Sequence, residues 1–421
     1  MIKKLFKNLL FWNKLSLKQK EKIKSIFGFY TSKIINPSQK NLIDIEVAIF
    51  FADGLDKKYQ IEQWLDVFNY INKKRKILFI VKDRKILSWL EKNSNFIVIY
   101  YQNLESLISF YSNHNIKTIL YINNGLRNFH SLINSKSIHI HINHGESDKT
   151  STISNQSKAY DYSFIVGDAG YDKYKLNLLK KDMSKFLKVG RPQLDFIEKI
   201  NLDKNIVGNK KIILYAPTWE GNYSSMNFCS LSKYGLSIVS TLLLDNRYYL
   251  LYKPHPTTGI RDESIKDINK KIIKQINNSK QGEVVLDGDI NGLYSSVDLA
   301  IFDNSAVAID YLAVNKPMLM TDMFFNIKDR FSKPIILEAS YLLFEDNIDN
   351  LCNIITEELE KDNLKIKRNS IKKYFIGNYN YGTKECSEMF LFKLETLGRE
   401  RDFLITILNK EEKNQKGDSL K

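Results

Sequence analysis

Cysteine is scarce in this chain, and its positions exclude two common uses of the residue. There are three cysteines, Cys229, Cys352 and Cys386, which lie far apart and are odd in number. No pair has the spacing of a metal site or a redox motif, so the sequence predicts a reducing compartment and no disulfide framework.

Long hydrophobic runs are absent as well. No uncharged apolar run reaches about 18 residues, the length that predicts a helix spanning a bilayer. The first residues, MIKKLFKNLLFWNKLSLKQK, are basic but lack the continuous apolar core and the small-residue cleavage site of a signal peptide. These absences lead us to expect a cytoplasmic protein.

Positive charge is in excess. Lys and Arg total 63 against 48 Asp and Glu, which gives a formal net charge of +15. This surplus favours polyanions or an anionic membrane surface as partners. The lysines are spread along the chain and do not form a basic motif with interleaved aromatic residues, so we expect no nucleic-acid partner.

The N-terminal segment, residues 1–40, contains a basic amphipathic helical pattern. Its apolar side chains fall on one helical stripe with lysines around it: Ile2, Leu5, Phe6, Leu9 and Leu10. A helix of this kind lies in a lipid interface or packs on the protein's own surface, and the pattern fits both. The net charge favours the membrane, so we expect peripheral attachment to the inner face of the cell membrane.

The rest of the chain predicts two Rossmann-like α/β lobes with a central cleft. Short β-rich runs alternate with helical stretches, which indicates parallel sheets with crossover connections. The alternation covers residues 41–200, stops at a polar hinge near 199–210, and restarts within 201–400. Residues 401–421 are predicted to be a frayed polar tail. The β-rich runs are 45–51, 76–81, 96–101, 118–122, 138–142, 162–168 and 186–192, then 211–219, 248–256, 283–288, 297–305 and 316–322.

The first candidate cluster, NHGESDK, follows a predicted strand. His144 stands at the turn, Gly145 permits close backbone approach, and Lys149 adds positive charge. An imidazole suits removal of a proton from an attacking hydroxyl near neutral pH. Taken alone, a histidine at a strand end is more often structural, and His139 and His141 on the same strand illustrate that alternative.

The second cluster, YAPTW, directly follows an apolar strand. Pro217 ends the strand, and the Thr218 hydroxyl with the following backbone amides fits a phosphate. The alternative is an ordinary turn with an aromatic plug, which the motif by itself favours.

The third cluster is Lys253-Pro254-His255-Pro256. Two prolines restrict the backbone on either side of His255, so its ring has little conformational freedom. A rigid imidazole beside Lys253 suits a negatively charged diphosphate, and we prefer this reading to simple packing.

The fourth cluster, DNSA, joins an apolar strand to a predicted helix. Asp303 and Asn304 end the strand, and the backbone amides of Ser305, Ala306 and Val307 are expected at the N-terminus of the helix, where an anion is favoured. Asp310, farther along this helix, is placed to reach a ribose hydroxyl. Simple capping of the helix is the alternative, but it explains one residue and not the set.

Together these clusters resemble the CDP-glycerol glycerophosphotransferase family, the primases and polymerases of teichoic acids and related capsule polymers. The resemblance runs from residue 138 to 382 with the motifs in family order. The matching elements are HGxxxK at His144, Gly145 and Lys149, GxP at Gly190-Arg191-Pro192 followed by Asp195, intact YAPTW and KPHP, and Asp-x-Ser at Asp303-Asn304-Ser305.

The resemblance implies a GT-B fold and catalysis without a metal or another cofactor. It implies that His144 is the base and that His255, with Ser305 and its neighbours, holds the donor pyrophosphate. The donor-binding residues predicted in this way are Gly145, Lys149, Pro217, Thr218, Lys253, Asp303, Asn304, Ser305, Ala306 and Asp310. Family members commonly have a second Ser or Thr where this chain has Ala306. Two roles are open for Arg191 of this chain: it serves the acceptor side or forms a salt bridge on the surface.

The implied activity is transfer of glycerol phosphate or ribitol phosphate from a CDP-linked donor, with release of CMP. The acceptor is expected to be a hydroxyl of a lipid-linked or growing cell-surface polymer. Two alternatives remain open from the sequence: a GT-B glycosyltransferase that uses a nucleotide sugar for surface polysaccharide, and a non-catalytic polyanion-binding protein.

Overall fold

A computed structural model describes residues 45–145, 153–197, 207–221, 227–286, 290–323 and 334–418. The predicted amphipathic segment, residues 199–206 of the predicted hinge and Lys149 lie outside these ranges. Within them, no helix combines the length and the apolar character needed to cross a membrane.

Seven parallel strands form the sheet of the first lobe, in the order β3-β2-β1-β4-β5-β6-β7. The central strands are buried along their whole length, because helices cover both faces of a parallel sheet. The strands are β1 Val47–Phe51, β2 Ile77–Val81, β3 Ile97–Tyr100, β4 Thr118–Tyr121, β5 Ile138–His141, β6 Tyr162–Ile165 and β7 Phe186–Lys188.

The helices of this lobe present apolar residues to the sheet at helical spacing. In α3, for example, Ile86, Leu87 and Leu90 are buried, and Asp83 caps the first turn by accepting two backbone N–H groups. The helices are α1 Lys58–Glu62, α2 Leu65–Lys74, α3 Arg84–Asn93, α4 Leu104–Asn113, α5 Phe129–Leu132 and α6 Asp168–Asn177.

Six parallel strands form the second sheet, in the order β10-β9-β8-β11-β12-β13. The strands are β8 Lys211–Ala216, β9 Tyr248–Tyr252, β10 Gly282–Val284, β11 Leu299–Phe302, β12 Met318–Thr321 and β13 Tyr341–Leu343. The helices that follow the first lobe are α7 Leu236–Leu244, α8 Glu263–Asn277, α9 Ala306–Tyr311, α10 Leu351–Lys361, α11 Lys365–Ile376 and α12 Glu385–Asp418. The predicted fold class, two successive parallel α/β lobes, is confirmed. Strand β13 was not predicted, because it is three residues long and only partly buried.

The last helix, α12, returns to the first lobe. Its apolar residues Phe390, Leu391, Leu394 and Leu397 are buried in the core that also contains β1 and β2. The sequence predicted that residues up to 400 belong to the second lobe and that a frayed tail follows. The structure differs on both points: α12 packs on the first lobe, and the helix continues to Asp418. The spacing of these residues indicates a helix but does not say which sheet it covers.

The two lobes pack tightly around the carboxyl end of β6. A Cβ atom on Gly167 would lie 2.6 Å from the backbone oxygen of Phe375 in α11, so a side chain has no room there. Nearby, the Tyr374 hydroxyl donates to the Asp172 carboxylate at 3.1 Å. These contacts tie α11 to α6 and set the relative position of the two sheets.

We predict that Phe390→Ala destabilises the first lobe although the residue belongs to the C-terminal helix. The ring of Phe390 lies against Trp64 and Phe164, and its removal leaves a cavity that costs about 3–5 kcal/mol. Hydrogen exchange of the β1 and β2 amides measures this loss. Phe392→Ala on the exposed face of the same helix is the control and should change stability by less than about 0.5 kcal/mol. Equal protection in the two variants would contradict the docking of α12.

Candidate functional site

The carboxyl ends of the two sheets meet at one place, between the turn after β5 and the start of α9. A Cβ atom on Gly145 would lie 3.1 Å from the Cβ atom of Ala306. The first and fourth sequence clusters are therefore in contact across the two lobes. In open parallel sheets, ligands bind beyond the carboxyl ends of the strands, and this contact lies at that position in both lobes.

Asn143 shapes the turn that presents His144. Its φ angle is 55°, in the left-handed region that asparagine tolerates better than most residues. Its side chain accepts the His144 N–H at 2.9 Å and donates to the Gly145 carbonyl at 2.7 Å. The indole N–H of Trp64 donates to the Asn143 carbonyl at 2.7 Å. Sequence reasoning missed Trp64, because nothing in its own segment indicates a partner beside the turn.

The hydrogen bond of the His144 ring determines which nitrogen carries the proton. Its Nδ1 lies 3.1 Å from the backbone oxygen of Ile122, which only accepts, so Nδ1 is the protonated nitrogen. Nε2 therefore keeps its lone pair. Burial of the ring, with smaller effects of the positive Arg191 and Lys57, lowers the pKa of His144 to about 4 despite the bond to Ile122. A neutral imidazole with a free lone pair at neutral pH is equipped to accept a proton.

The His255 ring has the opposite arrangement. Its Nδ1 accepts the backbone N–H of Thr257 at 3.2 Å, and the Thr257 hydroxyl lies 2.8 Å away. A backbone N–H only donates, so Nδ1 is unprotonated and the neutral ring carries its proton on Nε2. His255 therefore offers a hydrogen-bond donor where His144 offers an acceptor.

Tyr59 lies between the two histidines and was missed by the sequence reasoning. Its ring meets the edge of His144 at a centroid distance of 6.0 Å and that of His255 at 6.1 Å. On its other side, His255 stacks on Trp219 at 5.9 Å. Tyr59 comes from α1 and belongs to no cluster, so only the fold brings it to the site. Its ring packs against both imidazoles and takes the place of water on one side of each.

Glu220 holds the loop that carries His255. The side chain is buried, and its carboxylate accepts the backbone N–H groups of Gly259 at 3.1 Å and Arg261 at 2.8 Å. Because Glu220 follows the YAPTW cluster, it ties the second cluster to the third. This residue was also missed by the sequence reasoning.

The predicted donor residue Asp303 has a structural role instead. It is fully buried, and its carboxylate accepts the backbone N–H groups of Thr218 at 2.8 Å and Ser230 at 3.1 Å. The Thr321 hydroxyl donates to the other oxygen at 2.7 Å. Burial raises the pKa of Asp303, against the effect of these donors. The predicted phosphate-binding residue Thr218 is itself buried, beside buried Pro217, and its amide is already used by Asp303.

Asn304 is the best supported of the predicted ligand residues in the fourth cluster. It is 1% exposed, and neither its amide oxygen nor its amide nitrogen has a hydrogen-bond partner in the part of the chain that the structure describes. An unsatisfied buried amide is costly, so it indicates a polar ligand. Ser305 begins α9 and its hydroxyl donates to the Asp303 carbonyl at 3.2 Å, while Ala306 faces Gly145.

The structure contradicts the prediction that Asp310 reaches a ribose hydroxyl. The Asp310 carboxylate receives two hydrogen bonds from Arg191, at 2.9 and 3.0 Å, and both side chains are about 95% buried. Arg191 also donates to the His144 carbonyl at 3.3 Å. Of the two roles suggested for Arg191, the structure supports a salt bridge, but a buried one between the lobes.

The remaining predicted residues have clear positions. Lys253 follows β9, and its Nζ lies 3.3 Å from the Val285 oxygen. His139 and His141 are buried inside the first lobe, where His139 binds Tyr121 and His141 stacks on Tyr160. Across the described ranges, no three His, Cys, Asp or Glu side chains are grouped to hold a metal ion. Chemistry without a metal stays a prediction.

The fold places the chain in the GT-B class. Two solved structures illustrate the likeness, at identities that support the fold alone. The wall teichoic acid polymerase TagF has a TM-score of 0.56 and 13% identity, over 96% of this chain and 99% of that one. A putative UDP-N-acetylglucosamine 2-epimerase from Listeria monocytogenes has a TM-score of 0.56 and 12% identity, over 85% of this chain and 97% of that one.

The sequence comparison identifies the family. The profile of the CDP-glycerol:poly(glycerophosphate) glycerophosphotransferase family matches residues 72–323, more than half of the chain. The chain belongs to this family. It is also 29% identical over 152 residues to a teichoic acid poly(glycerol phosphate) polymerase of Bacillus spizizenii, covering 32% of this chain and 34% of that protein. The match thus spans about a third of the length of this curated relative.

We predict that the pKa of His144 depends on the shield formed by Tyr59. Histidine-selective NMR titration should give a value near 4 in the unmodified protein. Tyr59→Ala admits water to the ring and should move the pKa up toward about 6.5, the usual value for histidine. Tyr59→Phe keeps the ring and should leave the pKa unchanged. A low pKa retained in Tyr59→Ala would show that the shield is not responsible.

Proposed function

We propose that the protein transfers an alditol phosphate, glycerol phosphate or ribitol phosphate, from a CDP-linked donor to an acceptor hydroxyl, releasing CMP. Membership of the family supports the reaction type. The similar curated protein is a poly(glycerol phosphate) polymerase, and solved structures of TagF include a variant soaked with CDPG. The observation that carries the proposal is the pair of imidazoles in opposite tautomers on either side of Tyr59.

His144 acts as the general base in this mechanism. The acceptor oxygen attacks the donor phosphorus that bears the alditol, and its proton passes to Nε2 of His144. A new phosphodiester bond forms as the bond to the CMP oxygen breaks, and CMP leaves with the electron pair. Because Nδ1 is held by the Ile122 carbonyl, the ring is oriented before the acceptor binds.

The second lobe stabilises the negative charge that moves toward CMP. His255 carries its proton on Nε2, and the Asn304 amide, which has no hydrogen-bond partner among the described residues, adds a donor beside the backbone N–H groups of Ser305 and Ala306. Lys253 supplies a positive charge on the same edge of the sheet. Fixed donors of this kind stabilise phosphoryl transfer chiefly by electrostatics and positioning.

The acceptor is a lipid-linked or growing cell-surface polymer. A basic protein that attaches peripherally to the inner face of the cell membrane reaches such a substrate, and the net charge of +15 favours an anionic surface. The amphipathic pattern within residues 1–40 supplies the apolar part of this attachment.

We predict that CMP is released from CDP-glycerol or CDP-ribitol in the presence of a lipid acceptor and EDTA. Loss of general-base assistance in His144→Ala should lower the rate by about 10²–10⁴-fold. The control is His114→Gln, which should keep full activity. His114 precedes β4 and lies at the amino ends of the strands, away from the site.

The bond that forms separates this proposal from the glycosyltransferase alternative. Mass spectrometry of the product should show a new phosphodiester. Turnover of nucleotide sugars alone, with a glycosidic product, would refute the phosphotransferase and keep the fold. Binding of polyanions without any turnover would favour the non-catalytic alternative.

We also predict that the apolar stripe at the N-terminus binds membranes. Replacing Phe6, Leu9 and Leu10 with serine should abolish flotation with vesicles that contain anionic lipid, because the apolar anchor is removed. The matched control replaces Lys3, Lys4 and Lys7 with glutamine and should weaken flotation in a salt-dependent way. Unchanged flotation of the serine variant would show that the segment packs on the protein.

A further inference from the structure

Three basic side chains lie at the carboxyl edge of the first sheet, next to the site but outside it. Lys82 directly follows β2, while Arg127 and His130 lie in the segment after β4. The Nζ of Lys82 lies 5.4 Å from the centroid of the Tyr101 ring, and the Tyr101 hydroxyl lies 3.5 Å from Nδ1 of His130. Tyr101 thus gathers the basic side chains at one spot, which we call the basic cluster.

No ion pair joins Lys82 or Arg127 to a carboxylate among the described residues. Two acidic residues follow strands at the same edge of the sheet, Asp83 after β2 and Asp53 after β1. Those carboxylates have other partners: Asp83 accepts the first amides of α3, and Asp53 accepts the Asn123 amide at 2.8 Å. One guanidinium nitrogen of Arg127 donates to the Ala52 carbonyl at 3.1 Å, which orients the group and leaves further N–H donors.

The electrostatics of His130 show the same excess of positive charge. Burial lowers the pKa of His130, and the neighbouring charges of Lys82 and Arg127 lower it further. At neutral pH the ring is therefore a neutral hydrogen-bond partner beside two cations. A lysine point charge next to an oriented guanidinium fork suits a phosphate or phosphodiester anion.

A continuous set of contacts joins the basic cluster to His144. Arg127 binds the carbonyl of Ala52, the residue before Asp53, and the Asn123 amide binds both Asp53 and, at 2.9 Å, Gln60. Gln60 is the neighbour of Tyr59, which meets the His144 ring. This path runs through the gap between β1 and β4, where the strand order of the sheet reverses. Such switch points are the usual ligand crevices of open parallel sheets.

We propose that Lys82, Arg127 and His130 form a subsite for the phosphodiester of an acceptor chain, one unit behind the attacking hydroxyl. The inference rests on the proposed function, because that reaction leaves a phosphodiester behind every new terminal hydroxyl. The groups that stabilise the departing CMP in the proposed mechanism, His255, Asn304 and Lys253 among them, belong to the second lobe, so an anion subsite on the first lobe is placed for the acceptor. The protein then favours acceptors that already carry alditol phosphate and extends a chain.

The test compares acceptors with and without a phosphodiester. Lys82→Gln and Arg127→Gln should each raise the KM for a synthetic tetra(glycerol phosphate) about fivefold, since a partly exposed charged contact is worth about 1 kcal/mol. The KM for CDP-glycerol should stay unchanged. With a neutral acceptor that lacks phosphodiesters, the variants should match the unmodified protein. Lys92→Gln, the same charge change at the opposite end of α3, is the matched control.

Three outcomes would overturn the subsite. An equal rise in the KM for CDP-glycerol would show that Lys82 and Arg127 bind the donor. If Lys92→Gln raises the KM as much as Lys82→Gln does, the change comes from the overall charge of the protein and not from a subsite. A loss seen only with phosphatidylglycerol vesicles, and reproduced by Phe129→Ser at an exposed aromatic residue next to His130, would show that these residues bind the lipid surface.

Calorimetry without a donor separates this inference from the proposed function. Tetra(glycerol phosphate) should bind the unmodified protein more tightly than Arg127→Gln even in the absence of turnover. If no CMP forms from any donor but this difference persists, the transferase proposal fails and the subsite stands. If CMP forms and the two proteins bind the oligomer equally, the subsite fails alone.

Discussion

The ion pair between Arg191 and Asp310 is the interaction on which the site most depends. Arg191 belongs to the last segment of the first lobe and Asp310 to α9 of the second, and water has almost no access to either side chain. The same guanidinium also donates to the carbonyl of His144. Loss of either partner leaves a buried charge unpaired, which costs about 3–5 kcal/mol. The ion pair therefore sets where the base lies relative to the start of α9.

Buried carboxylates perform similar work elsewhere in the chain. Asp303 joins the ends of β8 and β12, Glu220 holds the loop after His255, and Asp195 accepts both the amide and the hydroxyl of Ser387 at the start of α12. Each acidic group accepts hydrogen bonds from distant segments. Among the described residues, the site between the lobes presents imidazoles, an amide, backbone N–H groups and lysine, which suit a negatively charged substrate.

The sequence predicted the two lobes and much of the candidate site, but it misassigned roles within it. Alternating strands and helices follow from local hydrophobic periodicity, so the parallel sheets were predictable. His144, Asn304 and Ala306 were named as site residues, and the structure brings them to one place. Asp303, Thr218 and Asp310 were expected to hold the donor, but their polar groups bind other parts of the chain. In the sequence, a carboxylate that follows a strand looks the same whether it binds a ligand or another part of the chain.

Local sequence specifies which segments form strands and helices, which turns follow the strands, and which residue types those turns carry. Contacts between distant segments determine which groups remain available for a ligand. The tautomers of His144 and His255, the Arg191–Asp310 pair and the place of Tyr59 depend on hydrogen bonds and ring contacts between segments far apart in the chain. Such contacts leave no periodic pattern, because they arise when two sheets pack and not when one segment folds.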